Sequence, residues 1–200
     1  MPDRQQIKDL RIVLKDFEGM VKQPHFLRTG RRIKNFNLLP REAWGNWLLC
    51  SVLCEFFGRD ITFAEDDEGD GVIYDRDTEQ WFYTEHVSAL RTPGPHAKLL
   101  GEERVLHAIQ HKIDRGAKYA RGKRLVTFIE DAREWFPNRV GKAIHGRHHF
   151  DAVYVIGLIT DSDDGHSYSV SQLDGVTGHS PTWQVDINGD FTDWTVTRLQ

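Results

Sequence analysis

The chain has 200 residues, of which 39% are hydrophobic and 28% charged, and its formal net charge is −4 at pH 7. These values are ordinary for a globular protein and exclude a disordered chain, and the length predicts a single domain over residues 1–200. No apolar run approaches the about 20 residues that span a bilayer, so no membrane partner is expected. The N-terminus lacks the apolar core of a signal peptide, and the only cysteines, Cys50 and Cys54, make no disulfide framework. We therefore expect a cytoplasmic protein.

The charges are segregated along the chain. Residues 1–48 carry ten basic side chains against five acidic ones, whereas residues 60–90 carry ten acidic side chains against a single arginine. Residues 91–150 are basic again, with thirteen basic against six acidic side chains. An acidic centre between basic segments is what a metal-dependent enzyme acting on a polyanion needs, because a cation offsets the repulsion between carboxylates and phosphates. Surface charge sorted by chance is the alternative.

Two helices are predicted at the start of the chain. Apolar residues at helical spacing predict an amphipathic helix over 3–21, and a basic, irregular segment follows to residue 39. Pro40 begins a second helix that ends at about Phe57, before Gly58. This second helix is apolar nearly all round, which predicts that it is buried.

Strands and helices alternate in the rest of the chain. Strand-like runs lie near 60–65, 71–75, 80–88, 125–129 and 151–160. A long helix is predicted over roughly 101–121, and a short helix within 131–149.

The predicted fold class is therefore α/β, with a mixed central sheet flanked by helices. The core covers about 40–160. An N-terminal helical and basic segment, 1–39, precedes the core, and a C-terminal antiparallel β meander, 161–200, extends it.

The acidic pair Asp70 and Glu85 is the most informative feature of the sequence. Asp70 opens one strand-like run and Glu85 lies inside the next, with a polar turn between them, so the two runs form a hairpin. Such a hairpin could bring both carboxylates to one end of a sheet, where they would hold a divalent cation. Mg²⁺ prefers oxygen ligands and usually takes one or two carboxylates. The alternative is that Asp70 caps a turn and Glu85 is a solvated strand residue.

The order of elements and these acids resemble the PD-(D/E)XK nuclease superfamily, which has the restriction-endonuclease-like fold. The family core runs helix, three strands, helix, strand, and two acids on its central strands bind the catalytic metal. Gly69-Asp70-Gly71 stands where the first acid would be, and Glu85 where the second would be. The segments 109–119 and 125–129 are similar to the helix and strand that follow that acid. The resemblance covers about 40–160 and implies a deoxyribonuclease that depends on Mg²⁺ or Mn²⁺.

One position departs from the family pattern. The family places a lysine two residues after the second acid, where this chain has Val87. Some members of the superfamily supply a lysine from a neighbouring helix, and Lys112 is the candidate here, with the role of stabilising charge on the scissile phosphate. His86 is the weaker candidate for this role, because alternation along the strand turns it away from the face of Glu85.

Other carboxylates could join the metal site. Glu55, or less favourably Glu42, on the preceding helix could complete the metal shell through water. Asp75 could compete with Asp70 as the metal ligand, because both border the same strand. The alternative for Glu55 is a residue at the helix end that faces solvent or pairs with Arg59.

The resemblance also implies that DNA is the partner. Its phosphates would be bound by clustered basic side chains. These are Arg28, Arg31, Arg32, Arg115, Lys118, Arg121, Lys123 and Arg124. The sequence is also compatible with a homodimer or with a protein partner.

Two other chemistries compete with this interpretation. A zinc site is suggested by histidines spaced four apart on one helix, with a glutamate one turn earlier and a later histidine cluster. These residues are Glu103, His107, His111, His145, His148 and His149. A cysteine hydrolase is suggested by the order Cys50, His166, Asp174, although Cys50 lies in the middle of a helix, where no dipole activates the thiolate.

A non-catalytic protein on the same fold is the strongest competitor. Loss of the family lysine with retention of the acids could leave a DNA-binding or protein-interaction module. Trp183 and Trp194 in the C-terminal meander could then serve a partner surface, although core packing is the default for both.

Overall fold

The computed structural model describes residues 9–23, 25–28, 31–33, 38–64, 70–90, 99 and 101–200. The helices of this part are Leu10–Val21 (α1), His25–Arg28 (α2), Pro40–Glu55 (α3), Gly101–Ile113 (α4), Ala117–Ala120 (α5) and Pro137–Ile144 (α6), with a short 3-10 helix at Ala132–Glu134. The strands are Ile61–Ala64 (β1), Val72–Asp75 (β2), Gln80–Ser88 (β3), Lys123–Ile129 (β4), Ala152–Ser162 (β5), Gly165–Gln172 (β6), Thr182–Asn188 (β7) and Trp194–Arg198 (β8). None of the described helices combines the length and the apolar character needed to cross a membrane.

All eight described strands form one sheet in chain order, so the protein is a mixed α/β structure. The strands β3, β4 and β5 run parallel to one another, and every other neighbouring pair is antiparallel. The hairpin predicted around the two acids is formed by β2 and β3, with Tyr74 opposite Trp81. The C-terminal meander is continuous with the central sheet, because β5 pairs with β6 along most of its length.

Side chains alternate between the two faces of the sheet, and each face has its own hydrophobic core. In β4, Val126 and Phe128 pack on the side of α1 and α3, whereas Leu125 and Ile129 pack on the side of α4 and α6. We call these the α3 face and the α4 face. The α3 face holds most of the large aromatic side chains, which explains why α3 is apolar nearly all round.

Tryptophans join the N-terminal helices to the C-terminal strands. The rings of Trp44 and Trp47 stack at 4.9 Å, and the ring of Trp194 lies edge-on to Trp47 at 5.1 Å. The indole N–H of Trp47 donates to the backbone oxygen of Leu10 at 2.9 Å, which ties α1 to α3. Trp183 and Trp194 are 3% and 7% exposed, so core packing is their role in this fold.

The helix predicted over 101–121 is interrupted. It consists of α4 and the short α5, and Gly116 between them has φ 85° and ψ 175°. Only glycine occupies this backbone region readily. The break turns α5 back toward the start of β4 and brings its side chains to the neighbourhood of the acidic pair.

The N-terminal predictions also need small changes. The first helix begins at Leu10, capped by Asp9, whose carboxylate accepts from the Arg11 backbone N–H at 2.8 Å. Residues 3–8 of the predicted helix lie outside the described part. The segment predicted as irregular contains the single turn of α2.

Candidate active site

Glu85 lies in the middle of β3, and it is the centre of a polar cluster on the α4 face. It is 6% exposed. Lys112 from α4 donates from Nζ to its Oε1 at 2.6 Å, and Lys123 at the start of β4 donates to its Oε2 at 3.3 Å. Tyr119 from α5 also hydrogen-bonds Glu85. Three elements that follow β3 in the chain therefore converge on one carboxylate.

These contacts keep Glu85 ionised. Burial raises the pKa of a carboxyl group and is the largest single influence on Glu85. The hydrogen bonds from Lys112 and Tyr119 and the charges of Lys112 and Lys123 together outweigh it, and the pKa falls to about 2. Glu85 is consequently an anion at any pH at which the protein would work.

Asp70 lies just before β2 and faces Glu85. Its Oδ2 accepts from the His86 backbone N–H at 2.7 Å, and its carboxyl group is in hydrogen-bonding contact with that of Glu85. The pKa of Asp70 is raised, first by burial and then, against the hydrogen bond from His86, by the negative charge of Glu85. The sequence prediction that a hairpin brings these two carboxylates together is realised in the structure.

Asn46 of α3 supports Asp70 from the other face of the sheet. It is completely buried. Its Nδ2 donates to the backbone oxygen of Asp70 at 3.1 Å, and its Oδ1 lies 3.0 Å from Nε2 of His86. Since Nδ2 faces the Asp70 carbonyl, Oδ1 accepts, and Nε2 of His86 must carry the hydrogen. Gly71, with φ 128°, lets the Asn46 amide approach, because a Cβ there would lie 2.3 Å from Nδ2.

His86 is not placed to replace the family lysine. It points to the α3 face, where a Cβ on Gly45 would come within 3.0 Å of its Cε1, while Glu85 points to the α4 face. Burial, followed by the charges of Arg41 and Lys112, lowers the pKa of His86 to about 3, so the ring is neutral. The prediction that the His86 side chain acts in catalysis is therefore wrong. The backbone N–H of His86 hydrogen-bonds Asp70, and its ring packs on the α3 face, opposite Glu85.

The prediction that Glu55 completes the metal shell is wrong. Glu55 is the last residue of α3 and is exposed. Glu42, in the first turn of the same helix, is 5% exposed, and its pKa is raised by burial and, against a hydrogen bond from the Leu39 backbone, by the charge of Asp70. The two glutamates are about 20 Å apart along the helix at 1.5 Å per residue. Of the two glutamates, Glu42 is therefore the one whose charge interacts with that of Asp70, and it was the less favoured candidate.

Asp75 has a structural role. It is completely buried and forms an ion pair with Arg59. Its Oδ1 also accepts from the backbone N–H groups of Asp77 and Thr78, at 3.0 and 3.4 Å, which fixes the turn of the β2–β3 hairpin. These contacts contradict its use as a metal ligand. Because Arg59 pairs with Asp75 and Glu55 is exposed, the solvent-facing alternative for Glu55 is the one that agrees with the structure.

Tyr119 and its cations form a rim around Glu85. The guanidinium of Arg115 lies 4.1 Å from the centre of the Tyr119 ring, and Nζ of Lys123 lies 4.6 Å from it. The Tyr119 hydroxyl accepts from Arg115 at 2.9 Å and from Lys112 at 3.2 Å. Burial and the neighbouring Glu85 raise the pKa of this hydroxyl, so it stays protonated.

The predicted DNA-binding residues separate into groups. Arg115, Lys118 and Arg121 are exposed on the α4–α5 segment, and Arg115 lies over the same Tyr119 ring as Lys123. Arg124 lies on the opposite face of the sheet, 3.9 Å from the Phe82 ring centre, and is not part of this rim.

The three arginines of the N-terminal segment lie elsewhere. Arg31 and Arg32 are exposed ahead of α3, and the charge of Arg32 acts on Glu42. The side chain of Arg28 lies outside the described part of the structure.

The competing catalytic centres are not assembled. His107 and His111 are exposed on α4, and no group of three or more histidine, cysteine, aspartate or glutamate side chains that could hold a metal occurs in the described residues. Cys50 is completely buried in the core, and burial raises the pKa of its thiol well above the usual value. Asp174 caps a turn through Val176 and Thr177 instead of orienting a histidine.

The donor set at Asp70 and Glu85 fits a hard divalent cation. Two carboxyl groups in hydrogen-bonding contact repel each other when both are ionised, and this repulsion adds to the effect of burial in raising the pKa of Asp70. A cation between them would relieve it. Both oxygens of Glu85 already contact lysines, and Tyr119 and Asp70 hydrogen-bond it as well. The hydrogen bond between the two carboxyl groups is lost when Asp70 ionises, which would free a lone pair of Glu85 for a metal. Two carboxylates are enough for Mg²⁺, which keeps several waters.

The sequence predicted the acids and Lys112 but missed Asn46 and Tyr119. A signal for Asn46 was present, because a polar amide in a helix that is otherwise apolar nearly all round requires a buried partner. Tyr119 gave no such signal, because its position depends on the break at Gly116.

Comparison with known proteins gives no match: no protein-family model matches the chain, no curated protein does, and no solved structure does.

Proposed function

We propose that this chain is a nuclease of the PD-(D/E)XK type that cleaves DNA phosphodiester bonds with Mg²⁺ or Mn²⁺. The observation that carries the proposal is the convergence on the Glu85 carboxylate of Asp70 from the hairpin and Lys112 from α4. The order α3, β1 to β3, α4, β4 supports a restriction-endonuclease-like core, because it repeats the family order of helix, three strands, helix, strand.

Asp70 and Glu85 would hold the cation. When bound, the cation activates a water molecule and neutralises charge on the phosphate. Asp70 must lose its proton to act as a ligand, and the backbone N–H of His86 holds the ionised form in place. Glu42, whose charge interacts with that of Asp70, would take part in the metal shell only through water.

Lys112 replaces the missing family lysine. Its ammonium group is largely buried and is fixed by Glu85 and Tyr119, at 2.6 and 3.2 Å. A cation held in this way stabilises negative charge that develops on the scissile phosphate without having to reorganise. Lys123 and Arg115 would bind the phosphates on either side.

A cleavage assay tests the proposal. Plasmid and single-stranded circular DNA are incubated with the protein in Mg²⁺ or Mn²⁺ and, separately, in EDTA. We expect cleavage only with the metal, and a loss of at least about 100-fold in rate in Asp70→Asn, Glu85→Gln and Lys112→Met, since each removes several kcal/mol of stabilisation.

Glu55→Gln is the matched control, because it removes a carboxylate from the far, exposed end of α3. It should cleave like the wild type. Cleavage that persists in EDTA, or in the Asp70→Asn and Glu85→Gln variants, would contradict the proposal.

A second candidate is a nuclease-fold protein that binds DNA or a protein without cleaving. It is favoured by the two lysines that already neutralise Glu85, because the site is then stable without a cation. This candidate predicts binding without cleavage under every metal condition, and binding that Glu85→Gln leaves unchanged.

A further inference from the structure

Three aromatic side chains lie on the α4 face of the β2–β3 hairpin, next to the acidic pair. Trp81 and Tyr83 share the face of Glu85 because side chains alternate along a strand, and Tyr74 joins them because it is paired directly with Trp81. At 3.3–3.4 Å per residue, Tyr83 and Trp81 lie about 7 and about 13 Å from Glu85 along the strand.

The three rings follow one another along the hairpin, with Tyr74 and Trp81 partly exposed and Tyr83 exposed. Trp81 and Tyr74 stack with 4.1 Å between ring centres and 25° between planes. Tyr83, between this pair and Glu85, is 38% exposed. We call Tyr74, Trp81 and Tyr83 the aromatic track. It runs from the turn of the β2–β3 hairpin toward the proposed catalytic residues.

Positive charge borders the track on the side of the site. Lys123 is paired with Tyr83 across β3 and β4, and it also contacts Glu85 at 3.3 Å. Arg115 and Lys123 lie on Tyr119. At the far end, the hairpin turn carries Asp77 and Glu79, which would repel phosphates. Arg76 in the same turn is paired with Asp60 at 2.9 Å, so the turn as a whole is acidic and phosphates are favoured toward Lys123 and Lys112.

We propose that the aromatic track binds the unpaired bases of a single-stranded DNA segment and delivers its backbone to Glu85. This inference rests on the proposed function and specifies its substrate as single-stranded DNA or a duplex with a single-stranded end. Aromatic side chains stack on bases of any sequence, whereas bases within a duplex have their faces covered by their neighbours. The bordering cations would meet the phosphates of the same strand.

Binding measured in EDTA tests this inference separately from cleavage. Fluorescence anisotropy compares a labelled oligothymidylate with a blunt duplex of the same length. The variants are Tyr83→Leu, which removes the ring and keeps apolar bulk, and Tyr83→Phe, which keeps the ring. Phe136→Leu is the matched control, because Phe136 is 62% exposed and follows the opposite end of β4.

We expect the wild type to bind the single strand at least about 10-fold more tightly than the duplex, as base–aromatic stacking predicts. Tyr83→Leu should weaken single-strand binding by about 10-fold and leave duplex binding unchanged. Tyr83→Phe and Phe136→Leu should match the wild type. Trp81→Phe, which retains a stacking ring, should keep most of the affinity, and thermal melting confirms that each variant is folded.

Equal binding of the two DNAs, or a Tyr83→Leu variant that binds like the wild type, would overturn the inference. If the protein cleaves duplex DNA with metal and Tyr83→Leu cleaves equally well, the nuclease proposal stands and the proposed role of the aromatic track is wrong. If the track binds single strands in EDTA but no metal supports cleavage, the nuclease proposal fails and the track stands.

Discussion

At the scale of single residues, the two acids of the site have opposite environments. Lys112, Tyr119 and Lys123 surround Glu85 and lower its pKa to about 2, against the effect of burial. The pKa of Asp70 is raised by burial and by the negative charge of Glu85 itself. Neighbouring carboxyl groups whose pKa values are pushed apart are typical of sites that handle charge or protons. Here the difference leaves one permanent anion and one acid whose ionisation a cation would favour.

Asp70→Asn should make the protein more stable near neutral pH while abolishing cleavage. Because the pKa of Asp70 is raised by folding, its ionised form costs stability above that pKa, and the cost disappears below the unfolded value. The variant should therefore melt at a higher temperature than the wild type at about pH 8, and the difference should vanish near about pH 4, close to the pKa of an unfolded aspartate. Thermal melts across this range check the prediction, and a lower melting temperature at about pH 8 would refute it.

Lys112→Met should destabilise the fold as well as stop cleavage. Breaking a buried ion pair costs about 3–5 kcal/mol, and Lys123 offsets part of this, so we expect a loss of about 2 kcal/mol. Glu85 has a lowered pKa, so its stabilising pairing is present above about pH 4 and is lost as the pH falls toward about 2. The cost of Lys112→Met should shrink over the same range.

Urea unfolding of Lys112→Met, Glu85→Gln and the double variant measures the coupling between Lys112 and Glu85. Additive costs for Lys112→Met and Glu85→Gln would show that the pair contributes no stability.

At the scale of elements, most helices and strands follow from the periodicity of the sequence, but their relative placement does not. Both acids and Lys112 lie on elements that the sequence predicted. Whether Glu42 or Glu55 is the better candidate for the metal site depends on which end of α3 meets the β2–β3 hairpin. Because α3 is apolar nearly all round, its sequence pattern carries no information about that direction. Tyr119 was missed because the helix ends at Gly116 and a new one begins.

Gly116→Ala should separate the role of this break from ordinary helix propensity. Alanine at φ 85° and ψ 175° is strained, and we expect a loss of about 1–3 kcal/mol, together with weaker cleavage because Arg115 and Tyr119 move. A Cβ at Gly116 meets nothing within 4 Å, so the cost is conformational.

Gly19→Ala is the matched control, since it also meets nothing within 4 Å and lies inside α1. It should be neutral or stabilising by about 0.5–1 kcal/mol. Equal stability of the two alanine variants in urea unfolding would show that the break between α4 and α5 does not require glycine at position 116.

At the scale of the whole molecule, the C-terminal meander belongs to the fold. The sequence predicted the strands of 161–200 but placed them outside the core. In the structure, β6 to β8 complete the sheet, and Trp183, Val185 and Trp194 belong to the core that buries α1 and α3. The sequence could not show this, because a meander built on the edge of a sheet has the same local pattern as a separate one.

A chain that ends at Ser162 should therefore not fold. It would lose one side of the α3-face core and expose the edge of β5. We expect no cooperative thermal transition and no near-ultraviolet circular dichroism from packed tryptophans. A cooperative transition in this shortened chain would show that residues 163–200 are an accessory segment.

The account depends most directly on whether Asp70 and Glu85 form one cation site. Calorimetric titration of Mn²⁺ into the wild type, Asp70→Asn, Glu85→Gln and the control Glu55→Gln measures this without any substrate. We predict one cation per chain in the wild type and in Glu55→Gln, with an affinity that increases with pH as Asp70 ionises. Binding should be lost in Asp70→Asn and Glu85→Gln. Identical binding isotherms for all four proteins would contradict the account.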